Sequence, residues 1–211
     1  MVIVKKNVRT PVQKRSKDKI NKILDTSKQL FTEKNYFNVT TNEIAKKAGL
    51  SIGTLYSYFS DKEAILIALL TNYNNNFLQL FNEINTQEFL ETFRSNPKLW
   101  LETLMDKLLK KENKDFHAQI EMLAFTIPKV KIILEEHNTK VKDLTYQSLL
   151  YYTDHTENQD FKILSEIIFN FISATIDDLL YSEHSIKEKE LLKSNSIDYI
   201  ALIINNAINK K

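Results

Sequence analysis

Between residues 40 and 62 the chain gathers hydroxyl, amide and ammonium groups: Thr40, Thr41, Asn42, Ser51, Thr54, Tyr56, Ser57, Tyr58 and Lys62. Hydroxyls and ammonium groups bond phosphate oxygens and so set a protein's register on a duplex. Amides and small apolar groups read base edges. Thr41, Thr54, Tyr58 and Lys62 are therefore expected on phosphates. Asn42, Ile52, Gly53, Tyr56 and Ser57 are expected at the bases, Asn42 through a bidentate pair with adenine and Ile52 against a thymine methyl. Basic charge is concentrated in the same third. Residues 1–62 hold 13 Lys+Arg and 5 Asp+Glu, a net of +8, whereas the other 149 residues hold 16 and 22, a net of −6. That asymmetry points to a polyanion partner for the first third only.

Helices must position these groups, and the local signals for them are strong. The chain has only two glycines, Gly49 and Gly53, four positions apart. Ile20, Ile23, Leu24, Ser27, Leu30 and Phe31 follow the spacing of a helix with one buried face, predicted from Ser16 to Lys34-Asn35. Thr40 with Glu43 forms a capping box, and Val39 with Ile44 a hydrophobic staple, so a second helix starts at Thr41. Gly49 ends it after Ala48, because the C′ position favours positive φ. Ser51 caps a third helix from Ile52, with Leu50 and Leu55 as its staple. Gly53 inside the first turn weakens that helix but leaves its start bare, so another backbone can approach. Ser60 with Glu63 predicts a cap for a fourth helix over Asp61 to about Glu83. Two short helices around a three-residue turn are a helix-turn-helix, whose second helix enters the major groove of DNA. Leu55, Phe59, Ile44, Ala45 and Ala48 are expected to face the core. Residues 1–15 lack helical periodicity and read as a flexible basic arm, able to order in the minor groove.

At these positions the chain resembles the TetR-type transcriptional regulators, from Ile20 to about Leu70 and without gaps. The matching residues are Leu30-Phe31, Thr40-Thr41, Ile44-Ala45, Ala48-Gly49, Ser51, Gly53-Thr54-Leu55-Tyr56, Tyr58-Phe59 and Lys62-Glu63. Asn35 departs from the family's usual glycine, and Ile52 from its frequent Lys or Arg. The resemblance implies an all-α protein. A three-helix DNA-binding domain over 1–60, with its arm, would precede a larger helical regulatory and dimerisation domain over 61–211. It also implies that the last two helices dimerise, and that a small ligand in the second domain changes the separation of the recognition helices and releases DNA. A two-fold protein reads a pseudo-palindrome whose half-sites lie about 34 Å apart or a multiple of it.

The remaining sequence supports that reading and excludes others. Helices are predicted from Asn96-Pro97, over about Lys114–Thr126, from Pro128 to about Tyr152, and over Ile163–Leu180 and Ile197–Ile208, with a polar connection at 154–160. The apolar stripes of the last two helices are wider than one core face needs, which suits a homodimer through a four-helix bundle. Trp100, Phe116, His117, Glu121, Phe125, Tyr151, Phe169, Ser173 and Asp177 are the candidates to line an apolar pocket for a small hydrophobic effector. There is no cysteine, and the four histidines have no i, i+4 partners among themselves, so neither a metal nor a cofactor is expected. Glu135-Glu136 and Asp177-Asp178 are adjacent pairs that point apart on a helix and do not form an acid/base couple. No secretory signal or membrane span is evident, so a cytoplasmic protein is expected, and without a cysteine, a Gly-rich phosphate loop or a Ser/His/Asp arrangement no enzyme is expected. The function expected is a ligand-responsive regulator, a repressor on a palindromic operator. The alternative is a structural DNA-binding protein of the same fold with a protein partner and no small ligand.

Overall fold

The computed structural model describes residues 9–154 and 159–208, and every regular element among them is a helix. Side chains are described for residues 14–154 and 159–207. Ten α-helices follow one another: α1 Arg9–Lys34, α2 Thr41–Lys47, α3 Ile52–Tyr56, α4 Lys62–Ile84, α5 Gln87–Ser95, α6 Pro97–Lys111, α7 Lys114–Ala124, α8 Pro128–Thr153, α9 Gln159–Tyr181 and α10 Ile186–Ile208. A single 3-10 turn, Tyr36–Asn38, links α1 to α2. None of these helices is long and apolar enough to cross a membrane.

The chain divides into two compact units. The first holds residues up to Asn72 together with Asp115–Val130, and the second holds Tyr73–Lys114 and the residues from Lys131 on. In this division the boundary lies within α4, and α7 packs with the N-terminal helices. Phe116, Ile120 and Leu123 of α7 are buried there, as are Ile23, Leu30 and Phe31 of α1. Only tertiary packing recruits α7, since no sequence periodicity tells a helix which core it joins.

Several boundaries differ from the expected ones, among them that of α10, which begins at Ile186 rather than near Ile197. α1 begins at Arg9, not Ser16. Pro11 lies in its first turn, where a missing N–H is tolerated. Residues 9–15 of the expected arm are therefore helical, and residues 1–8 lie outside the described residues. α4 is capped by Asp61, whose Oδ1 accepts from the Ala64 N–H at 2.7 Å, while Ser60 Oγ donates to Asp61 Oδ2 at 2.9 Å. Ser60 orients the cap instead of providing it, and the Ala64 N–H holds the Asp61 carboxyl below its usual range. α5 is a short helix absent from the expected set, although Phe89, Leu90 and Phe93 give it one apolar face. Thr86 caps it, accepting from the Phe89 N–H at 3.4 Å, and Leu90 and Phe93 are its buried face.

In the second unit Trp100 of α6 packs edge-on against Phe93 at 5.3 Å and Tyr152 at 4.7 Å between ring centroids. α9 and α10 lie against each other, with Thr175 Oγ1 donating to Ser196 Oγ at 3.2 Å in a buried position.

Candidate nucleic-acid interface

The helix-turn-helix is built as its local signals dictate. Thr40 is extended, and its hydroxyl accepts from the Glu43 N–H at 3.2 Å. The Glu43 carboxylate bonds back to Thr40 and is held below its usual pKa chiefly by a hydrogen bond from Lys34. Gly49 sits at φ 64°, where an L side chain is disfavoured. Ser51 repeats the cap, its Oγ accepting from the Thr54 N–H at 3.1 Å. Leu55 is fully buried together with Ile44 and Ala48. Phe59 is only half-buried.

The expected contact residues divide by what they already touch. Thr40 and Ser51 spend their hydroxyls on caps. Thr54 Oγ1 is 2.8 Å from Ser51 Oγ, and Ser57 Oγ donates to the Thr54 carbonyl at 2.7 Å. Thr41 Oγ1 and the Tyr56 hydroxyl are 2.9 Å apart, which joins α2 to α3 across the outer face. Tyr56 is 50% exposed, so it is not a core aromatic. Asn42, Gly53 and Ser57 are exposed, and Thr41, Ile52, Thr54 and Tyr58 are half-buried. Gly53 is decisive. A Cβ built on it would meet only Ser51 Oγ, at 4.0 Å. Nothing within the chain requires glycine there.

Lys62 is placed differently from its expected phosphate role. Its ammonium donates to the carbonyls of Tyr36 and Val39, each at 2.8 Å, and lies 4.3 Å from the Tyr36 ring centroid. Partial burial lowers its pKa. In this geometry Lys62 ties the 3-10 turn and the start of α2 to α4. The cations left on the surface are others. Lys34 pairs with Glu43, and Lys47 with Glu33 at 3.2 Å, while Lys46 and Lys22 stay exposed. Lys22 of α1 reaches the turn, its Nζ 3.5 Å from where a Cβ on Gly49 would lie. Sequence reasoning missed both, because surface lysines on a helix carry no spacing signal.

This architecture has close counterparts. The profile of the bacterial regulatory proteins of the tetR family matches residues 23–69, and that of the tetracyclin repressor-like C-terminal domain matches residues 78–206. The chain belongs to the TetR family of bacterial transcriptional regulators. Members of the family bind DNA and act as dimers. The uncharacterized HTH-type transcriptional regulator YuxN of Bacillus subtilis is 30% identical to this TetR-family chain over 143 residues, which is 67% of the chain and 46% of YuxN. The chain thus spans about half the length of that relative. Among solved structures, a transcriptional regulator from Aquifex aeolicus VF5 superposes with a TM-score of 0.65 at 25% identity, over 88% of this chain and 99% of that one. A TetR-family regulator from Mesorhizobium loti reaches 0.69 at 19% identity, over 90% and 98%.

The expected effector residues are divided between the two units. Phe116 is core of the first unit, and in the same unit His117 lies half-buried, 3.8 Å from Glu121. Phe125, also there, is 90% exposed. In the second unit Trp100 is core and Tyr151 is exposed against Tyr152. Phe169 is covered by Lys142, Ser173 is half-buried and Asp177 is exposed. Aromatic composition identified a helical domain with much ring surface, but not which faces converge.

Proposed function

We propose that this TetR-family regulator is a repressor that binds a palindromic operator as a dimer and is released by a small, largely apolar effector. The observation that carries the DNA reading is the bare start of α3. Gly53 lies exposed at the second position of α3, with open space where a side chain would be, and Asn42 of α2 and Tyr56 of α3 are exposed as well. A glycine that destabilises its own helix and fills no internal need suits a surface against which another molecule packs. Thr41, Thr54 and Tyr58 then meet phosphates, and Asn42, Ile52, Tyr56 and Ser57 meet bases. α9 and α10 supply the dimer surface. Ile163 and Ile167 of α9 and Tyr199 and Leu202 of α10 are about half exposed, although each lies beside a buried stripe. An effector bound in the second unit would act by favouring one of two helix arrangements. Selection of genomic fragments on the purified protein, followed by anisotropy on the enriched sequence, tests this. Enrichment of an inverted repeat, with bound DNA lost on adding the effector, is the expected result. Enrichment of no sequence would refute it.

A further inference from the structure

Buried polar atoms in folded proteins are almost always hydrogen-bonded. Asn74 is 6% exposed, and no protein group bonds its Oδ1. The Nδ1 of His137 is buried and likewise unbonded. Asn74 lies on α4 and His137 on α8, both within the second unit. Their relation follows from a neighbouring pair. Asn85 Nδ2, from the residue just past the end of α4, donates to Ser148 Oγ of α8 at 3.0 Å. Asn74 precedes Asn85, and His137 precedes Ser148, by the same number of residues, about three full helical turns. The contacts of Phe77 with His137, Ile84 with Tyr152 and Asn85 with Ser148 advance together along both segments, so α4 and α8 run in the same direction and the spacing puts the two orphaned groups at about one level. The Phe77 and His137 rings lie 6.5 Å apart between centroids. Tyr73, one turn before Phe77, packs edge-on against it at 5.1 Å. Where Asn85 meets Ser148 the two segments complete their own polar contact. Three turns earlier they do not.

We propose that Asn74 and His137 form the polar end of a ligand site between α4 and α8, which takes an uncharged molecule with an apolar body and a hydroxyl or amide head. This proposal rests on the effector reading above and names the chemistry of that effector. The Asn74 oxygen accepts a hydrogen bond from the head group, and the His137 nitrogen completes the pair. Phe77 and Tyr73 supply apolar wall. Neither polar group brings a charge, since burial and the neighbouring Lys140 lower the His137 pKa to about 4 and keep the ring neutral at pH 7. An anionic head thus finds no positive partner in this pair.

The test compares the full chain with its Asn74→Leu and His137→Phe variants, using octanamide, 1-octanol and octanoate as probes. Melting temperature and operator-bound fraction are both read. Octanamide and octanol should raise the melting temperature of the unsubstituted protein more than octanoate does. Each variant should lose about tenfold or more in affinity for the neutral probes. Without probe, both variants should melt at or above the parent temperature, because an unbonded buried group has been removed. Variants that melt lower would show a buried water or a packing role and overturn the site. So would equal affinity in the variants, a preference for octanoate, or no shift with either neutral probe. A different compound that releases DNA from parent and variants alike would sink the site and leave the effector reading standing. Octanamide bound through Asn74 and His137 without any effect on operator occupancy would do the reverse.

Discussion

At Asn35 the backbone adopts φ 69° and ψ 144°, with Oδ1 accepting from the Phe37 N–H at 3.1 Å. Positive φ alone would suit Asn in the left-handed region, but this ψ carries it into territory that is essentially glycine's. The resemblance marks glycine as usual at this position, and the dihedrals give the reason. Asn35→Gly should raise stability by about 1 kcal/mol, the relief of strain exceeding the few tenths lost with the cap. A denaturant melt checks it, and a fall in midpoint would show that the side-chain bond outweighs the strain. Lys62 makes the opposite case, a residue whose side chain the fold uses up. Lys62→Met should cost about 2 kcal/mol, because two carbonyls lose a charged donor. The salt dependence of DNA binding by the folded variant should stay as in the parent. A slope lower by about 1 would instead place the ammonium on a phosphate in the complex.

The two glycines differ at the scale of the helix pair. Gly49 is required by its own backbone, at φ 64°, so alanine there strains the turn between α2 and α3. Gly53 is helical and unobstructed. Gly53→Ala should therefore leave stability unchanged or raise it by up to about 1 kcal/mol, while weakening operator binding at least severalfold. Parallel melting and anisotropy measurements separate the two effects. Unchanged affinity would mean that the start of α3 does not approach DNA.

Whole-molecule behaviour depends on surfaces that neither helix pair explains. Ile167→Glu together with Leu202→Glu should convert the proposed dimer to a monomer and abolish binding to a two-half-site operator, with each chain still folded. Sedimentation and circular dichroism read these outcomes, and a persisting dimer would place the interface away from α9 and α10. The chain's stability should also vary with pH through His137. Its folded pKa is depressed from 6.5 to about 4 by burial first and Lys140 second. Between those values the unfolded chain holds more protons, so stability falls as pH drops through that window and is fully present above it. His137→Phe should remove that component. The difference between parent and variant melting temperatures then changes between pH 7.5 and pH 5, and a constant difference would contradict a buried neutral ring.

Local information in the sequence determined the helix-turn-helix. Thr40, Ser51 and Gly49 act on backbone groups within four residues of themselves, so their types and spacing suffice to start and stop α2 and α3. The long α4, α6 and α9 were legible from periodicity for the same reason, and the charge asymmetry indicated which third meets DNA. Only the tertiary structure decided what depends on distant partners. It turned Lys62 back onto carbonyls at Tyr36 and Val39, assigned α7 to the first unit, and divided nine candidate effector residues between two units. It also set the Phe77 ring 6.5 Å from that of His137. Hydrogen bonding within one helical turn is written in adjacent residues, whereas the pairing of helix faces depends on how the whole chain packs.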